Sequence, residues 1–171
     1  MRQDPKNTAL DSRGVGIGAN ADTPGVIAPP PIIYLCSILA GLGLQRLWPL
    51  QVLPGVLGTA LGVSVILVAV VLFVLCIREF RAAGTSVQTR RPTTVIIKTG
   101  PYQFSRNPIY LSFTLLQIGV GIWANSVWVL GMVVPALVLM PYGVIAREER
   151  YLERKFGEEY LQYKSSVRRW L

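Results

Sequence analysis

The sequence predicts an all-α fold: an integral membrane bundle of four transmembrane helices, followed by a cytosolic amphipathic helix at the C-terminus. Two uncharged runs and the placement of the charges carry that prediction. Residues 54–77 hold no charged side chain, and neither do residues 109–146. Apolar residues make up 51% of the chain, while charge gathers in an N-terminal segment, a central loop and the C-terminus. A helix of about 20 apolar residues spans the hydrocarbon core of a bilayer.

The formal net charge is +8. In a soluble chain that surplus points to nucleic acid. Here the cations flank apolar runs, so membrane lipids are the expected partners and nucleic acid is not. Cys36 and Cys76 both fall inside apolar segments and read as small buried hydrophobes. The chain has no histidine, which removes the commonest metal ligand and the commonest general base. No metal site is expected.

Residues 1–30 mix Gly, Ala, Pro, Asn and Asp and read as a disordered tail. Gly14, Gly16 and Gly18 are spaced like part of a dinucleotide fingerprint, but no strand precedes them and no helix follows. The apolar run begins too late, and without a cleavage site, for a signal peptide. Residues 31–171 form the membrane domain. A first span covers residues 31–48, closed by Arg46 and Trp48 at the interface. After a tight turn, the second covers residues 54–77. Gly55, Gly58 and Gly62 lie along one of its faces and suit close helix packing.

The basic loop that follows carries a β-branched stretch, residues 93–99, expected to be extended. As one helix, residues 109–146 would measure about 57 Å, so they must form a hairpin. Its break is Trp123-Ala124-Asn125-Ser126, giving spans at residues 109–123 and 127–146, with Pro135 and Pro141 kinking the return. In the C-terminal segment, Leu152, Phe156, Tyr160, Tyr163 and Val167 recur every three or four residues, as on one helical face. The Asn125 turn holds no cation, whereas the central loop and C-terminus hold most of them. Both termini are therefore expected in the cytoplasm, in a bacterial inner membrane.

Residues 100–110, Gly-Pro-Tyr-Gln-Phe-Ser-Arg-Asn-Pro-Ile-Tyr, stand at the entrance of the third span. Pro108 fits the first turn of a helix. Glu148 and Glu149 stand where the fourth span ends, so both sites meet one membrane face. Acids there need water, a cation or a ligand. Arg147 and Arg150 are the simplest partners. The alternative is that one carboxylate, with aromatic walls and Ile97 and Ile109, holds a cationic or hydroxylated cofactor.

These residues carry a resemblance. Residues 100–110, then Glu148-Glu149, then Phe156-Gly-Glu-Glu-Tyr160-Leu-Gln-Tyr163 and Val167-Arg-Arg-Trp170 together resemble the isoprenylcysteine carboxyl methyltransferase and phospholipid methyltransferase superfamily. The resemblance spans residues 84–171. It implies a membrane methyltransferase that cups S-adenosylmethionine on the cytosolic side. Carried over by position, the cofactor contacts are Thr94, Val95, Ile96, Ile97, Tyr102, Asn107, Pro108, Ile109, Tyr110 and Glu148. The prenylcysteine enzymes have histidine at the position of Asn107. They have a substrate-binding arginine at the position of Val144, which leaves Arg106 and Arg147 as candidates for holding an acceptor. That acceptor is a small or lipophilic molecule bearing a carboxylate, thiol or amine. A carboxylate or thiolate needs no general base, and no catalytic residue is assigned. Two other readings stand beside this one: an NADPH-dependent membrane reductase with a similar C-terminal block, and a non-catalytic membrane scaffold.

Overall fold

A computed structural model describes residues 25–26, 28–53, 55–85 and 94–170. Most of the N-terminal tail lies outside the described residues, as do Arg90, Arg91 and Thr93 of the central loop. Among the described residues all regular structure is helical. The helices are α1 (Pro30–Leu47), α2 (Gly55–Ala82), α3 (Pro108–Trp123), α4 (Val127–Gly131), α5 (Val133–Met140), α6 (Ala146–Phe156) and α7 (Glu158–Ser166). Three helical stretches are long and apolar enough to cross a membrane: Pro30–Leu47, Gly55–Ala82 and Val127–Phe156. Helix α3 is apolar but shorter, at 16 residues.

Small residues bring the helices together. Helix α3 lies along α2, and α1 packs on α4 and α3. A Cβ at Gly62 would stand 2.5 Å from the Trp123 amide nitrogen, and one at Gly41 would stand 2.6 Å from the Val129 Cα. Gly58 is also buried, but Gly55 has open space around it, so the glycine face of α2 starts at Gly58. Lipid is as apolar as leucine, so close backbone approach and polar links must supply the specificity. The links are present between α1 and α3. The Tyr34 hydroxyl meets Thr114 Oγ1 at 2.8 Å. Gln117 Nε2 donates to Ser37 Oγ at 2.8 Å, and Ser37 Oγ donates in turn to the Met132 carbonyl at 2.8 Å.

The hairpin break falls at Asn125, as expected, and Asn125 adopts φ +49°. Its Oδ1 accepts from the amides of Val52 and Leu53 at 2.7 and 2.9 Å. The α1–α2 and α3–α4 turns therefore sit together at one end of the bundle. Loop 94–107 and Glu148 occupy the other.

Several expectations need correction. Residues 94–99 form no strand; they are irregular, and of Thr94, Val95, Ile96 and Ile97 only Ile97 is buried. Cys36 is exposed on the outside of α1, where an apolar environment comes from lipid rather than protein; Cys76 is buried. The return span is interrupted twice, at the two prolines expected to kink it. It breaks at Met132, since Pro135 offers no N–H to the Gly131 carbonyl, and it widens into a π-turn at Pro141–Ile145. The single C-terminal helix is in fact two, α6 and α7, divided at Gly157 with φ +53°. That backbone conformation favours glycine.

The close approach at Gly62 is testable. Gly62→Leu should lower thermal stability in detergent by about 1–3 kcal/mol through overpacking. Gly43→Ala, with open space at its Cβ, should leave the unfolding midpoint in place. Equal losses from both would overturn the packing account, because Ala and Leu are each better helix formers than Gly.

Candidate active site

Helix α3 begins at Pro108, whose missing N–H costs nothing there. That start places Tyr110 in the first turn. Its hydroxyl donates to the Glu148 carboxylate, 2.6 Å from Oε1 and 2.7 Å from Oε2. Tyr110 is buried, while Glu148 stays partly accessible. Among the described residues, Tyr110 is the hydrogen-bond donor to this carboxylate. One hydroxyl proton serves a group that can accept about four hydrogen bonds. Glu148 therefore keeps acceptor capacity for a ligand that brings ammonium or hydroxyl donors.

Beside this pair, Tyr102 lies in the turn Gly100–Gln103 and buries its ring against Cys76 and Ile97. Phe80 meets it edge-on at 5.8 Å between centroids. Ile109 touches both this cluster and the one around Tyr110. Burial pushes the Tyr102 hydroxyl well above its ordinary pKa, with Cys76 adding to the effect. Burial also raises Tyr163, and takes Tyr160 to about 12. These phenols keep their protons at neutral pH and act as donors, not bases.

Arg106 belongs to a different arrangement. Glu149 is only 5% exposed, one residue from Glu148, and it gathers two arginines. Arg169 donates from Nε at 3.1 Å to Oε1 and from Nη2 at 2.6 Å to Oε2. Arg106 Nη1 lies 3.1 Å from Oε1, an ion pair without hydrogen-bond alignment. Tyr160 lies close enough to Arg106 for the cation to draw its pKa down against the effect of burial. Neither flanking arginine takes the role expected of it. Arg147 is exposed and donates to the Gly25 carbonyl, and Arg150 donates to the Ala146 carbonyl in its own helix.

The segment after α7 runs back over the loop as a strap. The Arg106 amide donates to the Arg168 carbonyl at 2.9 Å. Asn107 Nδ2 donates to the Arg169 carbonyl at 3.0 Å, so this amide ties down the strap rather than standing free. Trp170 then packs against the cluster of Tyr34, Tyr110, Met140, Val144 and Ile145. The site thus joins Ile97, Tyr102, Pro108, Ile109, Tyr110 and Glu148. Thr94 and Val95 are exposed, and Arg147 bonds elsewhere.

Two contributors carry no local signal. Glu79, near the end of α2, accepts from the Thr99 hydroxyl and sits against Gly100, where a Cβ would meet its carboxylate at 2.8 Å. It reads from sequence as the lone acid of a basic loop. Tyr34 reads as one more apolar residue of the first span.

A sequence model described as phospholipid methyltransferase matches residues 57–159. The chain belongs to that family. It is therefore an integral membrane protein of a methyltransferase family, and the family implies a methyl donor. An uncharacterised protein of Haemophilus influenzae is 48% identical over 64 residues, which cover 37% of this chain and all of that protein. The protein-S-isoprenylcysteine O-methyltransferase of Saccharomyces cerevisiae is 36% identical over 84 residues, covering 47% of this chain and 34% of the yeast protein. The nickel-cobalt-cadmium resistance protein NccN of Alcaligenes xylosoxydans xylosoxydans is 32% identical over 68 residues, 40% of this chain and 32% of NccN. The matched segment thus spans about a third of the latter two relatives. No solved structure matches the chain.

The two neighbouring acids should separate by experiment. Glu149→Gln strands the buried Arg106 and should cost about 3–5 kcal/mol, read as a fall in the thermal midpoint in detergent. Arg169→Lys, on a side chain 40% exposed, should cost no more than about 1 kcal/mol. A silent Glu149→Gln would remove the clamp from this account.

Proposed function

We propose that this protein is a membrane methyltransferase that uses S-adenosylmethionine and methylates a small or lipophilic acceptor at the cytosolic membrane face. The observation that carries the reading is the Tyr110–Glu148 pair: a partly accessible carboxylate with spare acceptor capacity, at the mouth of an apolar bundle, in a chain of this family. Glu148 would hold the donor's ammonium or ribose hydroxyls. Tyr102, Tyr110, Ile97 and Ile109 would wall it, and Asn107 and Pro108 would fix the turn between them. Residues 94–96 would border the site from the loop. When bound there, S-adenosylmethionine supplies a methyl group already activated on a sulfonium.

The protein's share of such a reaction is orientation and the exclusion of water. The Tyr102–Ile97–Phe80 cluster and the strap close off the loop side. A carboxylate or thiolate acceptor attacks without losing a proton, which suits a site whose tyrosines stay protonated. Arg106 or Arg147 would hold an anionic acceptor. Arg147 is the freer of the two, since Arg106 is committed to Glu149.

The topology belongs to the same proposal. Helix α3 joins the two ends of the bundle alongside α2, so it counts as a fourth, short span despite its 16 residues. Lys98, Arg106 and Arg147 gather at the Glu148 end. Both termini and the site would then face the cytoplasm, in a bacterial inner membrane. Helices α6 and α7 would lie at that surface. Single cysteines read the arrangement directly: one at Asn125 should react with an impermeant maleimide from outside, and one at Lys98 only from inside. The opposite pattern would overturn the cytosolic site.

Glu148→Gln tests the donor site. A charge-assisted contact is worth about 1.5–3 kcal/mol, so calorimetric affinity for S-adenosylmethionine should fall roughly ten- to a hundred-fold, with the thermal midpoint little changed. Unchanged affinity would return Glu148 to the role of a solvated helix-end charge.

A further inference from the structure

Helix α1 lies outside residues 57–159, the family match, yet it reaches the candidate site. Tyr34 is 3% exposed, and its hydroxyl lies 3.4 Å from the Tyr110 carbonyl and 2.8 Å from Thr114 Oγ1, to which it gives its one proton. Thr114 Oγ1 donates to the same carbonyl at 3.0 Å. Its ring packs on Phe113 at 5.7 Å between centroids. All these contacts fall on the first two turns of α3.

Helix α2 holds the same part of α3 from the other side, where Phe73 meets Phe113 at 5.6 Å between centroids. The N-cap residue of α3 is Asn107, which makes no side-chain capping bond to the helix because its amide serves the strap. Pro108 at the first position contributes no N–H. The Asn107 carbonyl accepts from the Leu111 amide at 3.0 Å, and without a side-chain cap the rotation of the turn rests on its tertiary contacts. Tyr110 sits in that turn, and rotating it would swing the hydroxyl off Glu148.

We propose that Tyr34 is a positioning residue: from α1 it clasps the first turns of α3 and keeps the Tyr110 hydroxyl on the Glu148 carboxylate. Its importance for methyl-donor binding rests on the function proposed above. Its effect on the Tyr110–Glu148 pair does not.

The experiment uses the full chain in nanodiscs with Tyr34→Phe, Tyr110→Phe and the double variant. Tyr34→Phe keeps the ring on Phe113, and Thr114 keeps its bond to the Tyr110 carbonyl, so no buried group is stranded. Dicyclohexylcarbodiimide captures protonated carboxyls in apolar surroundings, and mass spectrometry reads its yield at Glu148 with no cofactor added. A hydrogen bond to the carboxylate favours the charged form. At about pH 8, where most carboxyls are ionised, Tyr110→Phe should therefore raise labelling, and Tyr34→Phe should raise it roughly two- to five-fold. In the Tyr110→Phe background, Tyr34→Phe should add nothing. Unchanged labelling in Tyr34→Phe, or equal increments in both backgrounds, would overturn the proposal, because a merely structural tyrosine would not act through Tyr110.

Titration with S-adenosylmethionine should show the same non-additivity in affinity. If the unaltered protein does not bind it, the functional reading fails while the labelling still decides the role of Tyr34. Should Tyr34→Phe fail to fold, Thr114→Val removes the same contact from the α3 side, and the same two outcomes apply.

Discussion

The hydrogen bond from Tyr110 to Glu148 makes demands on nearly every part of the chain. For the hydroxyl to reach the carboxylate, α3 must start at Pro108 and keep its first turn in place. The loop before it must end in the right position, which the Arg106 amide and the Asn107 side chain secure by bonding the strap carbonyls. The strap holds because Arg169 grips Glu149. On the far side, α2 carries Glu79 to the Thr99 hydroxyl and Gly100, which anchors the start of the turn that buries Tyr102. These are tertiary contacts between distant parts of the chain, and each is polar. In a bilayer that is the expected currency of specificity, because burial of apolar surface distinguishes poorly between a neighbouring helix and a lipid tail.

Glu148 and Glu149 show how one helix serves two purposes with adjacent residues. Successive residues on a helix point about 100° apart. Two neighbouring carboxylates therefore cannot face the same partner, and the bundle uses that divergence. Glu148 faces α3 and remains partly accessible. Glu149 faces the strap, is buried, and has its charge met by Arg106 and Arg169. The π-turn at Pro141–Ile145 sets this phase. A turn with i→i+5 bonds takes up an extra residue and rotates everything after it. Its buried residues Gly143, Val144 and Ile145 fix the rotation against the Tyr34–Met140 cluster.

Much of this was legible in the sequence wherever the signal was local. The uncharged runs marked the long apolar helices, and Asn125 with its flanking tryptophans marked the hairpin. Pro108 marked the start of α3, and the resemblance pointed to Tyr110 and Glu148. What could not be read depends on partners far along the chain. Residues 94–99 have the side chains of a strand, but among the described residues no strand lies beside them to pair with, and they are irregular. Spacings of three and four from Leu152 to Val167 suggested one helix, yet a single glycine at position 157 ended it. The charge of Glu149 looked satisfied by its neighbours Arg147 and Arg150. Its actual partners stand 43 residues before it and 20 after. Nothing in a local window reports such a pairing.

The residues matched to the family stop short of two elements that shape the site. Helix α1 precedes them and the strap follows them, and both arrive at the same cluster: Tyr34 from one side, Trp170 from the other, around Tyr110, Met140, Val144 and Ile145. Glu148 and the Tyr102 turn lie inside the matched segment. The carboxylate suited to a cationic, hydroxylated donor is thus a feature of the family segment, whereas part of the apolar wall beside it comes from chain outside that segment. Val144 stands in this wall. Four residues before Glu148 and in one cluster with the Tyr110 ring that bonds that carboxylate, it presents an alkyl group where a cation could have paired with the acid.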